Sequence, residues 1–133
     1  MTARNSPGLN DGAAAVVYSS REKAAALGLK PIARVVGYAQ AAVAPKEMFI
    51  APARVIPSLL AKVGWTPEQI DLIELNEAFA AQVLADGYAL SDTGWDWEKV
   101  NVHGGAIALG HPLGASGARI LTTLFSALRD RGL

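Results

Sequence analysis

The alternation of hydrophobic and polar residues predicts four helices, each bounded by its own start or stop signal. Apolar residues recur at helical spacing, and a glycine follows where two of the helices should end, at Gly28 and Gly64. Ser20 is suited to begin the first helix as its N-cap. The predicted helices cover residues 20–27, 51–63, 77–90 and 118–131.

Runs rich in β-branched and aromatic residues lie between these helices and predict strands. They cover 13–19, then 31–43 as one long strand or two short ones, then 71–75 and 100–102. A capping box at Thr66–Gln69, with proline at the first helical position, predicts a short helical turn before the strand at 71–75. Strands that alternate with helices predict an α/β layer architecture with a mainly parallel sheet.

Composition and charge exclude several classes of protein. The 133 residues are 51% hydrophobic and 18% charged, which excludes intrinsic disorder, and the length fits one domain better than two. Lys plus Arg equal Asp plus Glu at 12 each, so no basic surplus is available for binding nucleic acid. The apolar runs are too short to span a bilayer and the opening residues carry no apolar leader, so we expect a cytoplasmic protein that does not enter membranes.

The most unusual segment is the glycine-rich stretch 101–119, between a predicted strand and a predicted helix. Its five glycines indicate a backbone that needs positive φ angles or a close approach of neighbouring groups. The glycine spacing does not match a dinucleotide fingerprint, a P-loop would need lysine where His111 stands, and the sequence around Ser116 lacks a spacer of the nucleophile elbow. We therefore expect Ser116 to be a helix-start residue.

His111 and Asn76 are the two residues whose positions indicate chemistry. His111 lies between Gly110 and Pro112, where an imidazole can act as a base or donate a hydrogen bond to a developing oxyanion. A histidine in a turn is also commonly structural, and that alternative stays open. Asn76 follows a predicted strand, where α/β sheets expose functional side chains, and it is equally suited to be an N-cap. We expect His103, at a strand end, to be structural.

Other ionisable residues give weaker signals. Glu74 and Glu77 flank the same strand-to-helix junction, which does not put them on one face, so we expect solvated or capping roles rather than paired catalysis. The sequence has no HExxH motif or comparable ligand set, which predicts the absence of a metal site. It also contains no cysteine, which removes disulfides, thiolate metal sites and a cysteine nucleophile from these residues.

Two motifs taken together carry a family resemblance. Residues 76–80 read NEAFA, and residues 104–119 read GGAIALGHPLGASGAR. The pair resembles the C-terminal part of the thiolase family, in the acetyl-CoA acetyltransferase and 3-ketoacyl-CoA thiolase branch. The agreement extends from Asn10 to Arg131, and the histidine-containing motif is long and specific.

The resemblance implies a fold and a domain organisation. The expected fold is thiolase-like, a layered α/β/α arrangement with a mixed, mainly parallel sheet, of which this chain is the incomplete C-terminal half. Residues 1–28 would be the end of the N-terminal domain, with its last strand and connecting helix. Residues 29–133 would be the C-terminal domain without its final cysteine-bearing strand.

The resemblance also implies roles for individual residues. Asn76 corresponds to the asparagine that holds a catalytic water, and His111 to the active-site histidine, which forms an oxyanion hole with it and helps activate a nucleophilic cysteine. Donors around a thioester oxygen stabilise the enolate that forms when a bond to the α-carbon is made or broken. The loop at 5–8 matches one beside coenzyme A. The residues implied to line the substrate site are Met48, Ala78, Phe79 and Gly110.

The implied activity is acyl transfer, either thiolytic cleavage of 3-ketoacyl-CoA or condensation of two acetyl-CoA. Coenzyme A and acyl-CoA are substrates, and no cofactor is implied. Thiolases carry two cysteines and this sequence has none, so we expect the isolated chain to be inactive. Two alternatives stay open: a non-catalytic module that binds acyl-CoA or docks on a partner subunit, and a structural remnant. The implied partners are a second copy or the missing thiolase half.

Overall fold

Helices form where the chain supplies its own start and stop signals. The computed structural model describes residues 2–133, and five α-helices lie within them. They are α1 Arg21–Ala26, α2 Ala51–Val63, α3 Ala80–Ala89, α4 Ala106–Leu109 and α5 Ser116–Asp130. Short 3-10 turns lie between them at Pro45–Ile50, Pro67–Gln69, Ser91–Thr93 and Trp97–Lys99.

The predicted helix boundaries are largely confirmed. The Ser20 hydroxyl accepts a hydrogen bond from the Lys23 N–H at 3.1 Å and so begins α1. α2 has the predicted bounds, and Gly64 ends it with a left-handed φ of 71°. The capping box at Thr66 and Gln69 is present. α5 begins at Ser116, as expected for a helix-start residue.

The start of α3 was predicted three residues too early. The helix begins at Ala80, and its N-cap position is Phe79 rather than Asn76. The N–H of Ala78 donates to the Asn76 carbonyl at 3.2 Å, and the N–H of Ala80 donates to the Asn5 carbonyl at 3.0 Å. Because these hydrogen bonds shape a turn, the interpretation of Asn76 as a helix N-cap is wrong.

The predicted strands reduce to one point of pairing within residues 2–133. Ile73 and Val100 form a single parallel bridge, in which Ile73 N donates to Lys99 O and Asn101 N donates to Ile73 O, both at 2.8 Å. The segments 13–19 and 31–43 form no strand. Val17 is 92% exposed, which contradicts the buried strand expected there. A strand needs the N–H and C=O groups of a neighbouring strand, and the described residues offer none to these segments.

The segment 31–43 is instead held against α2 by side chains. The Lys62 ammonium donates to the Tyr38 carbonyl at 2.8 Å and lies 4.7 Å from the centre of the Tyr38 ring. The buried apolar residues of the described chain lie outside this segment, and five of the six come after it. They are Ala24, Leu72, Val83, Leu90, Ala106 and Ala127.

No helix among residues 2–133 combines the length and the apolar character that a membrane crossing requires.

Candidate active site

The loop at residues 5–12 joins the two motifs that the sequence singled out. Its Asn5 carbonyl accepts the Ala80 N–H at 3.0 Å, at the start of α3. Its Gly8 carbonyl accepts the His111 N–H at 3.1 Å. The backbone at Ala80 and the backbone at His111 therefore rest on one short loop, although 31 positions separate them in the chain (111 − 80).

Gly110 allows this loop to approach His111 closely. Its φ is 96°, and a Cβ at this position would overlap the side chain of Asn10. A Cβ on Gly12 would likewise lie 2.7 Å from the ring of Pro112. Both the dihedral angle and the available space favour glycine at position 110, as the pattern of the glycine-rich stretch predicted.

Glu77 forms a second connection between the motifs. Its Oε1 accepts the Asn101 side-chain amide at 2.9 Å, and its Oε2 accepts the Ile107 N–H at 2.9 Å, near the beginning of α4. The carboxylate lies so close to Gly105 that a Cβ there would overlap it. Glu77 does act as a cap, on a helix 30 residues away and not on its own. Sequence reasoning missed this partner.

Asn101 fixes the backbone that leads into Asn76. Its φ of 47° is left-handed, a conformation that asparagine tolerates better than most residues. The Asn101 Oδ1 accepts the Leu75 N–H at 2.8 Å, and its Nδ2 donates to the Leu75 carbonyl at 2.9 Å. The side chain therefore takes the place of a strand neighbour just beyond the bridge at Ile73.

Asn76 lies at the turn between this backbone and α3. Its side-chain Oδ1 is buried and has no hydrogen-bond partner among residues 2–133. A buried amide oxygen of this kind is unfavourable unless a donor reaches it, so it is an available acceptor for one.

His111 is half-buried and is held by the first residue of α5. Its Nδ1 lies 2.6 Å from the Ser116 hydroxyl oxygen, and that oxygen lies 3.1 Å from the Pro112 carbonyl oxygen. Ser116 is buried. The contact between Ser116 and His111 was not predicted, although the two residues are only five positions apart in the sequence.

Of the residues expected to line the substrate site, Met48, Ala78 and Phe79 lie on two neighbouring segments, whereas Gly110 directly precedes His111. The Phe79 ring packs edge-to-face on Phe49, with centroids 5.4 Å apart and an interplanar angle of 85°. Met48 precedes Phe49 and is 58% exposed, whereas Ala78 is half-buried. Phe79 thus packs on the segment that carries Met48, through Phe49, an aromatic residue that sequence reasoning missed.

Glu74 does not have the solvated role expected for it. Its side chain is only 4% exposed, and its Oε2 lies 3.7 Å from Nη1 of Arg119 on α5. Burial raises the pKa of Glu74, and the positive charge of Arg119 partly offsets that effect. His103 also lowers the pKa of Glu74 electrostatically. His103 itself is exposed, and its structural role stays a prediction. Within residues 2–133 no three His, Asp or Glu side chains cluster as metal ligands would.

These features define the helix-rich part of a thiolase fold, and comparison with known proteins assigns the family. A family model described as "Thiolase, C-terminal domain" matches residues 29–133, and the chain belongs to the thiolase family. It is 58% identical over 131 residues to an acetyl-CoA acetyltransferase of Pseudomonas aeruginosa, covering 98% of this chain and 33% of the relative. It is 53% identical to one of Allochromatium vinosum, covering 98% of this chain and 32% of that relative.

Solved structures of thiolase-family proteins share this fold. The fold matches the crystal structure of the Bacillus anthracis acetyl-CoA acetyltransferase with a TM-score of 0.92 at 52% identity, over 99% of this chain and 33% of that one. It matches human mitochondrial 3-ketoacyl-CoA thiolase with a TM-score of 0.86 at 40% identity, over 99% and 33% of the two chains. The chain thus spans about a third of the length of these relatives. The domain boundary between residues 28 and 29 stays a prediction.

Proposed function

We propose that this chain supplies the histidine and asparagine side of a thiolase active site, for acyl transfer between a thioester and coenzyme A. The observation that carries the proposal is the double connection between the two motifs. Glu77 binds the backbone at Ile107, and the loop at 5–8 binds the backbone at both Ala80 and His111. Groups positioned before the substrate arrives stabilise developing charge most effectively.

In the proposed mechanism, the His111 imidazole donates a hydrogen bond to the thioester oxygen. Asn76 holds a water molecule at its buried Oδ1, and that water donates to the same oxygen. Both interactions strengthen as the thioester becomes an enolate, so they lower the barrier rather than only tighten binding. The substrate would lie against Met48, Ala78, Phe79 and Gly110.

The acylated nucleophile of this mechanism lies outside the 133 residues, because they contain no cysteine. The chain's contribution is therefore electrostatic and positional. The parent reaction is cleavage of a 3-ketoacyl-CoA or condensation of two acetyl-CoA, and both directions pass through the same charge on the thioester oxygen.

A segment exchange tests this function. These 133 residues replace the matching third of the Pseudomonas aeruginosa acetyl-CoA acetyltransferase, which keeps the rest of its own chain. We expect the exchanged enzyme to release coenzyme A from acetyl-CoA. His111→Ala should lower kcat by about 100-fold or more, the typical cost of losing one oxyanion donor. Exposed Lys46→Ala is the control. An inactive but folded exchanged enzyme would contradict the proposal.

The lack of cysteine favours one second candidate, a non-catalytic module that binds acyl-CoA. Calorimetric titration of the chain with acetyl-CoA and coenzyme A tests it, with His111→Ala as the comparison. Binding that His111→Ala weakens supports the module. No heat at millimolar ligand, together with no partner in pull-downs, removes it.

The cytoplasmic location, a homo-oligomeric state or association with a thiolase partner half, and a reaction without added cofactor also stay proposals. Cell fractionation, light scattering and assay of metal-free enzyme are the respective tests.

A further inference from the structure

The contact between His111 and Ser116 determines more than the position of the imidazole. A neutral imidazole carries one proton, on Nδ1 or on Nε2, and the hydrogen bond at one nitrogen selects which. Within residues 2–133, Ser116 is the one hydrogen-bond partner of the ring, at Nδ1, and Nε2 has none. The direction of this single hydrogen bond therefore decides what His111 offers at Nε2.

Two observations indicate that the serine is the donor. The first is the distance of 2.6 Å, which is typical of a hydroxyl donor and shorter than the usual range for an N–H donor. The second is that the Pro112 carbonyl, the other acceptor within reach of the Ser116 hydroxyl proton, already has hydrogen-bond donors. The Pro112 carbonyl already accepts the N–H of Ala115 at 2.8 Å and of Ser116 at 2.9 Å.

A carbonyl oxygen has two lone pairs, and those backbone donors already engage them, so a hydroxyl donor must share them. The Ser116 hydroxyl would be a third donor at 3.1 Å, farther away than the imidazole nitrogen. The hydroxyl proton is thus better accommodated on Nδ1 than on the Pro112 carbonyl.

We propose that Ser116 is a positioning residue that holds neutral His111 with its proton on Nε2. In this tautomer the free nitrogen is a hydrogen-bond donor, which is the role that an oxyanion-stabilising group needs. The tautomer follows from these contacts alone, whereas its effect on catalysis rests on the proposed function.

The same serine can accommodate a protonated imidazole. When both ring nitrogens carry protons, Nδ1 becomes a donor and the Ser116 oxygen accepts from it. The hydroxyl proton then turns toward the Pro112 carbonyl at 3.1 Å. Alanine at position 116 would offer neither arrangement, and a nonpolar side chain there would leave Nδ1 without its partner.

Nitrogen NMR of the 133-residue chain labelled at histidine tests the proposal without any activity. The chain has two histidines, and the exposed His103, whose ring has no hydrogen-bond partner in the described part of the chain, serves as an internal reference. We expect the His111 signals to show a protonated Nε2 and a hydrogen-bonded Nδ1, with a larger Nε2–H fraction than His103. A wild-type spectrum with the proton on Nδ1 of His111 would overturn the proposal by itself.

Substitutions at Ser116 test whether its hydroxyl selects the tautomer of His111. In Ser116→Ala, the His111 signals should move to the values of His103, while Ser126→Ala, on the same helix, should leave them unchanged. Ser116→Thr keeps the hydroxyl and should restore the wild-type signals. Unchanged His111 signals in Ser116→Ala would also overturn the proposal.

Kinetics in the segment-exchanged enzyme separate this inference from the function. Ser116→Ala should lower kcat roughly tenfold or more and leave KM for acetyl-CoA unchanged, because it alters a group that acts in the transition state. If the NMR result holds and the exchanged enzyme is inactive, the tautomer assignment stands and the proposed function falls. If Ser116→Ala raises KM alone, the positioning role is wrong.

Discussion

Two regions of this chain differ in how their residues are held. In the motif region, residues 72–130, polar groups far apart in sequence are joined, as Glu77 is to Ile107 and Asn101 is to Leu75. In the leading region, residues 9–43, large apolar side chains are exposed, with Val17 at 92% and Ile32 at 84%. Five of the six buried apolar residues belong to the motif region.

This contrast shows where the stability of the chain resides. Burial of apolar surface is the dominant favourable term in folding, and it is concentrated in the motif region. The same contacts position the candidate active site. Stability and site geometry should therefore respond together to substitutions of buried residues in 72–130 and should be insensitive to substitutions of the exposed apolar side chains in residues 9–43.

The largest difference between the two regions is expected when the same substitution, leucine to alanine, is made once in each. Leu90→Ala removes a side chain that is 2% exposed and should lower the free energy of unfolding. The expected loss is about 2–5 kcal/mol, since it combines lost burial with a cavity. Leu9→Ala, at a position 90% exposed, should change it by less than about 0.5 kcal/mol. Urea denaturation measures both, and equal effects would contradict the comparison.

Glu77→Ala tests the connection between the motifs. It leaves the Ile107 N–H and one Asn101 amide proton without their acceptor, so we expect a loss of about 2–3 kcal/mol in the free energy of unfolding. The exposed Glu47→Ala is the matched control and should be close to neutral. Chemical denaturation of the three proteins is the measurement, and a neutral Glu77→Ala would show that the link carries no stability.

Gly105→Ala tests the same link from the opposite side. Its Cβ would displace the Glu77 carboxylate, with an expected loss of roughly 1–3 kcal/mol. Gly117→Ala, in α5, meets nothing within 4 Å and should stabilise the helix by about 0.5–1 kcal/mol. Thermal melts should move in opposite directions. The double variant with Glu77→Ala should lose less than the sum, because both substitutions break one contact.

The smallest expected effect concerns the buried Asp86 of α3, which accepts a hydrogen bond from Gln82. Burial raises the pKa of Asp86 above its ordinary 3.8, although the hydrogen bond from Gln82 lowers it in part. The folded state then binds this proton more tightly than the unfolded state does. Its contribution to stability is full below about pH 3.8 and declines as the pH rises through the higher folded pKa.

Asp86→Asn removes this titration. The stability of the variant relative to wild type should therefore increase as the pH is raised from acid to neutral, as followed by urea denaturation at several pH values. Asp92→Asn, at an exposed position, controls for the loss of one charge. A relative stability that falls toward neutral pH would contradict the burial argument.

Helices were predictable here because their signals are local. α2 has the predicted bounds, since its hydrogen bonds close within four residues and Gly64 supplies the left-handed stop. The segments 13–19 and 31–43 have the composition of strands, but strand pairing depends on another part of the backbone. Composition alone does not reveal whether that neighbour is present within the same residues, so these predictions were wrong for the described chain.

The parts of the candidate site that lie within one sequence motif were predictable. Contacts between residues far apart in the sequence were not. The glycine-rich stretch correctly indicated special backbone, because Gly104 and Gly110 have positive φ and Gly105 admits a close approach. Nothing in the sequence paired Glu77 with Ile107 across 30 positions. The roles of His111 and Asn76 come from the family resemblance and stay proposals.

Amide hydrogen exchange of the 133-residue chain tests whether the two motifs are assembled within it. Relative to their intrinsic rates, the amides of Ile107, Ala80 and His111 should exchange at least about tenfold more slowly than those of Val17 and Val35, because their hydrogen bonds to Glu77, Asn5 and Gly8 must open first. Exchange of Ile107 and His111 as fast as that of Val17 would contradict the claim.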